Sequence, residues 1–226
     1  MKNFDLINFR QQIDDIDSKI IDLLYKRFEI VEEVSETKKN LFGNEFLYID
    51  PTREYELIKN KILFGNILDI EPNLMKNLYR NLISYSNFHE QPALKINIHK
   101  NSNKKILQMI NEYYPISMCY TEYKSIQMHN FLSSDIICID YQSLPNIAGY
   151  LFNNLIHIYH IESCKTTHNK VAFCGKIYKL YSKEDGIFIF FNKNLHLTES
   201  CNHKKYLNLI NDENFLFLGS SSSLII

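Results

Sequence analysis

The fold of the N-terminal part is decided by residues 5–40, which read DLINFRQQIDDIDSKIIDLLYKRFEIVEEVSETKKN. Apolar side chains recur every three or four positions along this stretch, and it contains neither Gly nor Pro. That spacing is the period of an α-helix, so the stretch is predicted to form one continuous helix. At 1.5 Å per residue the helix would be a rod about 50 Å long. A rod of that length cannot bury its apolar stripe against its own short domain, so a partner helix is expected.

Two shorter helices are predicted after a loop at Gly43-Asn44. Each begins where an acidic residue is followed by proline, and at the first of them Asp50 is the predicted N-cap with Pro51 in the first turn. The first runs from Asp50-Pro51 to about Phe64 and is ended by the glycine that follows. The second runs from Glu71-Pro72 to about Glu90. Residues 1–92 are therefore predicted to form an all-α N-terminal domain of three helices.

Residues 93–226 alternate short apolar runs with helical stretches, which is typical of an α/β domain. The predicted helices cover residues 104–113, 125–132, 144–155 and 204–210. The predicted strands cover residues 94–98, 116–120, 135–140, 156–161, 170–174, 177–181, 186–191 and 215–218. The serine run at 220–223 is predicted to be a frayed tail. The predicted fold class is an all-α domain followed by an α/β C-terminal domain.

Composition excludes several classes of protein. The net charge of −1 argues against a nucleic-acid or membrane-surface binder, since both normally carry a basic excess. No apolar run approaches the roughly 20 residues of a membrane span, and none at the start resembles a signal peptide, so a cytoplasmic protein is expected. The five cysteines form no C-x-x-C pair, and the histidines do not cluster at ligand spacing. We therefore expect free thiols, no metal site and no cofactor.

Three cations interrupt the apolar stripe of the long helix: Arg10, Arg27 and Lys38. Each alone is typical of a solvated surface. Arg27 and Lys38, however, are eleven residues apart, about three turns, so they project from nearly the same face. Arg10 precedes Arg27 by seventeen residues, about 25 Å along the axis, which is too far for one small ligand. If Arg10 belongs to the same site, it must come from an antiparallel partner chain.

Polar residues recur on all three predicted helices. They lie in the segments Leu-x-x-Phe-Arg10-x-x-Ile-Asp-x-Ile-Asp17, Leu-Leu-x-x-Arg27, Lys38, Asp50-x-x-Arg53-Glu54 and Ser86-x-x-x-Glu90-Gln91. Over residues 4–92 this pattern resembles that of the all-helical (AroQ-class) chorismate mutases. The resemblance implies an isomerase of phenylalanine and tyrosine biosynthesis that rearranges chorismate to prephenate. It also implies an intertwined homodimer in which Arg10 reaches the site across the interface.

The resemblance assigns a role to each of these residues. Arg10 of one subunit and Arg27 of the other would bind the two carboxylates of chorismate, as guanidinium groups do in bidentate fashion. Lys38 would donate to the ether oxygen of the breaking bond. The remaining assignments are the ring hydroxyl for Asp50 and Glu54, the wall of the site for Arg53 and a carboxylate for Ser86.

Glu90 departs from the family pattern, which normally has Gln at this position to donate to the ether oxygen. The rearrangement is unimolecular, so it needs positioning of the substrate and donors at the oxygen that gains charge. An ionised Glu90 would repel that charge, whereas a protonated Glu90 can donate to it. Burial would raise its pKa and neighbouring cations would lower it. The sequence predicts faster turnover at mildly acidic pH. A one-residue shift that places Gln91 in the role stays open, although helix periodicity from Ser86 favours Glu90.

Two other functions stay open at this point. An isochorismate-pyruvate lyase uses the same helical fold, and a non-catalytic module could sense ligands or regulate a partner enzyme in the chorismate pathway. Residues 93–226 faintly resemble part of a prephenate dehydratase, over 126–140 and 144–155, but contain no Thr-Arg-Phe signature. We interpret them as a domain of unknown function, with a shortened dehydratase-like remnant as one possibility.

Overall fold

The structure is a computed structural model of the 226-residue chain. It describes residues 2–102, 104–114, 120–126, 131–132, 135–163, 169–177, 187–192, 196–200 and 215–221. Three helices are followed by an α/β region built on one mixed sheet. The predicted fold class, an all-α domain followed by an α/β domain, is confirmed. No helix within the described residues combines the length and the apolar character needed to cross a membrane.

The helical domain consists of α1 (Lys2–Phe42), α2 (Pro51–Ile67) and α3 (Pro72–Glu90). Asp50 caps α2 as predicted, and the structure shows that Glu71 caps α3 in the same way: each carboxylate accepts a backbone N–H group of the first turn of its helix. The predicted end of α2 was wrong by three residues, because Gly65 lies inside the helix. A Cβ at Gly65 would lie 2.6 Å from Cγ of Met75, so this glycine lets α3 approach closely and does not terminate α2.

The first part of α1 has no cover from its own chain. No side chain between residues 5 and 30 is buried, and the predicted apolar stripe is open to solvent. Phe9, Ile13, Ile16 and Ile20 are each about half exposed, at 58%, 56%, 54% and 49%. The helix first reaches the core at Val31. The single continuous helix is confirmed; the partner helix that would cover the stripe stays a prediction.

The α/β region contains one eight-stranded sheet with the strand order β2-β1-β3-β5-β4-β8-β6-β7. Its strands are β1 (Lys95–His99), β2 (Tyr120–Tyr123), β3 (Asp135–Asp140), β4 (His157–Ser163), β5 (Lys170–Gly175), β6 (Ile187–Asn192), β7 (His196–Ser200) and β8 (Phe215–Ser221). Its helices are α4 (Lys104–Tyr113) and α5 (Leu144–Asn153), with a 3-10 turn over Tyr141–Ser143. β2, β1 and β3 are parallel, β4 pairs in parallel with β8, and the other neighbouring strands are antiparallel.

Several predictions for this region need correction. The helix predicted over 125–132 was wrong at its ends: Ser125 and residues 131–132 are not helical, and 127–130 lie outside the described residues. The tail predicted at 220–223 was wrong for its first two residues, because Ser220 and Ser221 pair with β6. β7 was not predicted. It pairs only with β6, at an edge of the sheet, and its sequence HLTES contains one large apolar residue, so its apolar signal is weak.

Other predicted elements fall outside the described residues. These are most of the strand at 116–120, most of the strand at 177–181 and the helix at 204–210. The described residues at their borders show Tyr120 as the first residue of β2 and Ile177 in an isolated bridge with Leu47.

Two apolar cores lie on opposite faces of the sheet. α5 packs into one of them, which contains Leu144, Ala148 and Leu151. α4 packs into the other, and this second core also takes in Leu47 and Ile49 from the loop between α1 and α2. The helical domain therefore contacts the sheet on the same face as α4.

The loop before α2 is anchored in the α/β domain at Leu47. Its backbone N–H donates to the carbonyl of Lys176 at 2.6 Å, and it forms a parallel bridge with Ile177. A Cβ at Gly175 would lie 2.2 Å from Cδ1 of Leu47, so the close approach of the two segments requires glycine there. The start of α2 is thus positioned partly by the second domain.

Candidate active site

A cavity of about 600 Å³ lies between the three helices of the first domain. Its apolar walls include Leu23, Ile30, Val31 and Ile83. Seven of the eight predicted site residues line it: Arg27, Lys38, Asp50, Arg53, Glu54, Ser86 and Glu90. The volume is in the range of small-molecule sites, and polar groups of both charges converge on it. The structure therefore brings together predicted site residues that are up to sixty-three positions apart in the sequence, Arg27 and Glu90.

Arg10 is the predicted site residue that does not line this cavity. It is exposed on α1, about two-thirds of the way from Arg27 to Lys2, the first residue of the helix. The predicted axial separation of about 25 Å between Arg10 and Arg27 holds because α1 is one unbroken helix between them. Within one chain, Arg10 cannot reach a ligand bound at Arg27.

Arg27 is held against α3 by Ser86. Its Nη1 donates to Oγ of Ser86 at 2.6 Å, and that hydroxyl in turn donates to the carbonyl of Leu82 at 2.7 Å. Burial lowers the pKa of Arg27, and the nearby Glu90 carboxylate opposes the shift. A guanidinium stays charged in either case, so the cavity contains a fixed, partly desolvated cation.

Lys38 and Glu90 form an ion pair at the other end of the cavity. Nζ of Lys38 lies 2.6 Å from Oε2 of Glu90 and also donates to the carbonyl of Tyr48 at 2.7 Å. Burial raises the pKa of Glu90, and the positive charges of Lys38 and then Arg27 oppose that rise. The net direction is upward, so Glu90 carries its proton to a higher pH than an exposed glutamate does.

Gln91 is turned away from the cavity. Its Oε1 accepts the backbone N–H of Tyr48 at 2.8 Å, and its Nε2 donates to the carbonyl of Phe46 at 3.0 Å. Both amide atoms are thus used to hold the loop before α2. Glu90 is the residue that faces the cavity, as the helix period from Ser86 predicted.

Glu54 is the most deeply buried acidic group of the site, with 7% of its surface exposed. Nδ2 of Asn87 donates to its Oε1 at 3.1 Å, while Nη1 of Arg80 and the hydroxyl of Tyr113 each lie 3.5 Å from its Oε2. Burial raises the pKa of Glu54, and Arg80 is the strongest opposing influence. Asp50, by contrast, caps α2 through the backbone N–H of Arg53 at 3.1 Å.

Sequence reasoning missed the residues that support Glu54. Arg80 and Asn87 are seven positions apart on α3, about two turns, and therefore share a face. Polar residues that are spaced at the helical period of a buried face are a sequence signal that could have identified Arg80 and Asn87. Tyr113 carried no such signal, because it belongs to α4 in the second domain.

The α/β domain contains a second cavity, of about 480 Å³, at the carboxyl ends of β1, β2 and β3. Among the described residues that line it, Lys124 is the only lysine or arginine and Asp140 is the only carboxylate. None of the predicted site residues lines it. Among the described residues, no group of three or more His, Cys, Asp or Glu side chains is arranged to hold a metal ion.

Comparison with known proteins points to the helical domain. Residues 9–91 match the family model for chorismate mutase type II. The T-protein of Enterobacter agglomerans is 33% identical over 82 residues, which is 36% of this chain and 21% of that protein. The chain thus spans about a fifth of the length of this curated relative. No solved structure matches the chain. The resemblance of the helical domain to AroQ-class chorismate mutases is confirmed.

Proposed function

We propose that this protein rearranges chorismate to prephenate in the cavity of its helical domain, as a cytoplasmic enzyme of phenylalanine and tyrosine biosynthesis. The main support for the proposal is that Arg27, Lys38, Glu54 and Glu90 line one cavity. All four residues belong to the segment that matches the family model. Cations and carboxyl groups both line the cavity, which suits a substrate with two carboxylates and a ring hydroxyl.

The reaction suits a site of this kind. One C–O bond breaks and one C–C bond forms within a single molecule, so no group is transferred and no proton is gained or lost overall. The site has to fold the enolpyruvyl arm over the ring and to meet the charge that grows on the ether oxygen. Arg27, steadied by Ser86, would bind a carboxylate, and Lys38 would donate to the ether oxygen.

The acidic residues at the start of α2 would hold the ring. Glu54 and Asp50 would accept the ring hydroxyl, with Arg53 in the wall beside them. Three partners surround the Glu54 carboxylate, which has about four acceptor positions, so capacity for a substrate hydroxyl is left. Glu90 would be a second donor at the ether oxygen, but only in its protonated form.

We propose further that the active form is an intertwined homodimer. The apolar stripe of α1 is uncovered from Leu6 to Leu23, and a second copy of the same helix offers a matching surface. An antiparallel arrangement would bring Arg10 of one subunit to the cavity of the other. Arg10 would then complete the binding of the second carboxylate.

The test is incubation of the purified 226-residue chain with chorismate and, separately, with isochorismate from pH 5 to 8, with the products identified by chromatography. Prephenate supports the proposal. Pyruvate released from isochorismate, without prephenate from chorismate, would identify a lyase. A folded protein that binds chorismate without turnover would be a ligand-sensing module. Conversion of prephenate to phenylpyruvate in the same assay would show that residues 93–226 are a working dehydratase domain.

Two lysines of α1 provide a matched pair of variants. Lys38→Ala removes the donor beside Glu90, and its expected loss is about 10²–10³-fold in kcat. Lys39→Ala removes an exposed charge one residue further on and should leave the rate unchanged. Equal rates for the two variants would contradict the proposed role of Lys38.

A further inference from the structure

A buried polar cluster lies where the helical domain meets the α/β domain. Glu54, Arg80 and Asn87 come from α2 and α3, and Tyr113 and His160 come from α4 and β4. Each of the five is at least nine-tenths buried. Buried polar and charged groups persist only when they are paired, so the cluster constrains both domains.

We propose that the α/β domain positions Glu54 in the cavity of the helical domain, with Tyr113 and Arg80 as the positioning residues. Tyr113 contacts Glu54 directly and also contacts Arg80, the ion-pair partner of Glu54. Its hydroxyl lies 3.5 Å from Oε2 of Glu54, and its ring lies under the guanidinium of Arg80, with Cζ 4.1 Å from the ring centroid. Arg80 in turn lies 3.5 Å from the same Oε2. Tyr113 therefore contacts both the carboxylate and the cation that compensates it.

The core of the α/β domain holds Tyr113 in place. Its ring stacks on His160 and Phe173, with centroid distances of 4.1 and 4.6 Å. His160 is itself held by Glu162, with Nε2 3.0 Å from Oε2, and Phe173 is fully buried in β5. Because β4 and β5 are neighbouring strands, the position of the Tyr113 ring depends on the packing of the sheet.

The consequence for the cavity depends on the proposed function, in which Glu54 accepts the ring hydroxyl of chorismate. A buried carboxylate that loses a partner moves or takes up a proton, since an uncompensated buried charge is costly. Either change would weaken the contact with the hydroxyl. The second domain would thus act on the reaction without a group of its own touching the substrate.

The experiment compares two neighbouring tyrosines in the full-length chain. Tyr113→Phe removes only the hydroxyl near Glu54. Tyr114→Phe removes an equally buried hydroxyl, whose partner is Tyr159 at 2.8 Å. We expect Tyr113→Phe to lower kcat/KM for chorismate about tenfold, as for loss of one hydrogen bond to a charged group. Tyr114→Phe should leave kcat/KM within about twofold, at a similar loss of thermal stability.

A double-mutant cycle separates positioning from a general structural effect. In a Glu54→Gln background the further change Tyr113→Phe should have little effect on kcat/KM, because both act on one contact. Independent, multiplicative losses would overturn the proposal, as would equal losses for Tyr113→Phe and Tyr114→Phe.

The coupling can be measured even if the proposed function fails. Carboxyl NMR titration reports the pKa of Glu54 directly, in the presence of its neighbours Arg80, Asn87, Lys38 and Asp50. Loss of a donor should raise that pKa in Tyr113→Phe and leave it unchanged in Tyr114→Phe. Wild-type protein without turnover would refute the mutase function alone, whereas an unchanged Glu54 pKa in Tyr113→Phe would refute the positioning.

Discussion

Replacing Glu90 with glutamine should remove the pH dependence of chorismate turnover between pH 5 and 8. Glu90 lies in the cavity with Oε2 2.6 Å from Nζ of Lys38, and burial raises its pKa above that of an exposed glutamate. Only the protonated carboxyl can donate to the ether oxygen, and an ionised one repels the charge that develops there. Turnover should therefore be fastest on the acid side and fall as the pH rises through the pKa of Glu90.

The size of the effect follows from two quantities. Above the pKa, the protonated fraction falls tenfold per pH unit, about 1.4 kcal/mol each. The fall levels off once the donor is lost, and one donor to a developing oxyanion is worth about 10²–10³-fold in kcat. We expect wild-type kcat to fall from the acid to the alkaline side by up to about 10²–10³-fold, the effect of that one donor. Glu90→Gln donates at every pH, so its kcat should vary by less than about threefold and exceed the wild type at pH 8.

The assay is steady-state kcat across the pH range, with Glu32→Gln as the control. Glu32 is an exposed carboxylate of α1, 3.0 Å from Nε2 of His89 and outside the cavity. Its replacement makes the same change in charge and should retain the acid-favouring profile. A flat wild-type profile, or a Glu90→Gln profile as steep as the wild type, would refute the reasoning.

Two further predictions concern the dimer and the domain contact. Arg10→Ala and Arg27→Ala should each be inactive alone, but mixed in equal amounts under exchange they should recover about a quarter of wild-type activity, since half the dimers then hold one intact site. No recovery in a mixture shown to exchange subunits would contradict a site shared between two chains. Gly175→Ala should destabilise the protein by about 1–3 kcal/mol in chemical denaturation, because its Cβ would displace Leu47. The control is Gly149→Ala on α5, where the added Cβ would have no atom within 4 Å, so this variant should be neutral or stabilising. Equal losses of stability for the two variants would contradict the packing argument.

Much of the helical domain could be predicted because its signals are local. The three-and-four spacing of α1 and the acidic N-caps of α2 and α3 depend on neighbours within a turn or two. The end of α2 could not be predicted, since the role of Gly65 depends on Met75, ten residues away on another helix. In the α/β domain the edge strand β7 was missed for a related reason: its pairing with β6, and not its own apolar content, makes it a strand.

The sequence by itself determined the long helix, the common face of Arg27 and Lys38, and the impossibility that Arg10 joins them within one chain. These follow from helix geometry, which needs only the residue numbers. Tertiary structure alone decided that Gln91 holds the loop before α2. It also decided that Glu54 is supported by Tyr113, fifty-nine positions later in the chain. Contacts of that separation depend on how two domains pack, and no local period in the sequence records such packing.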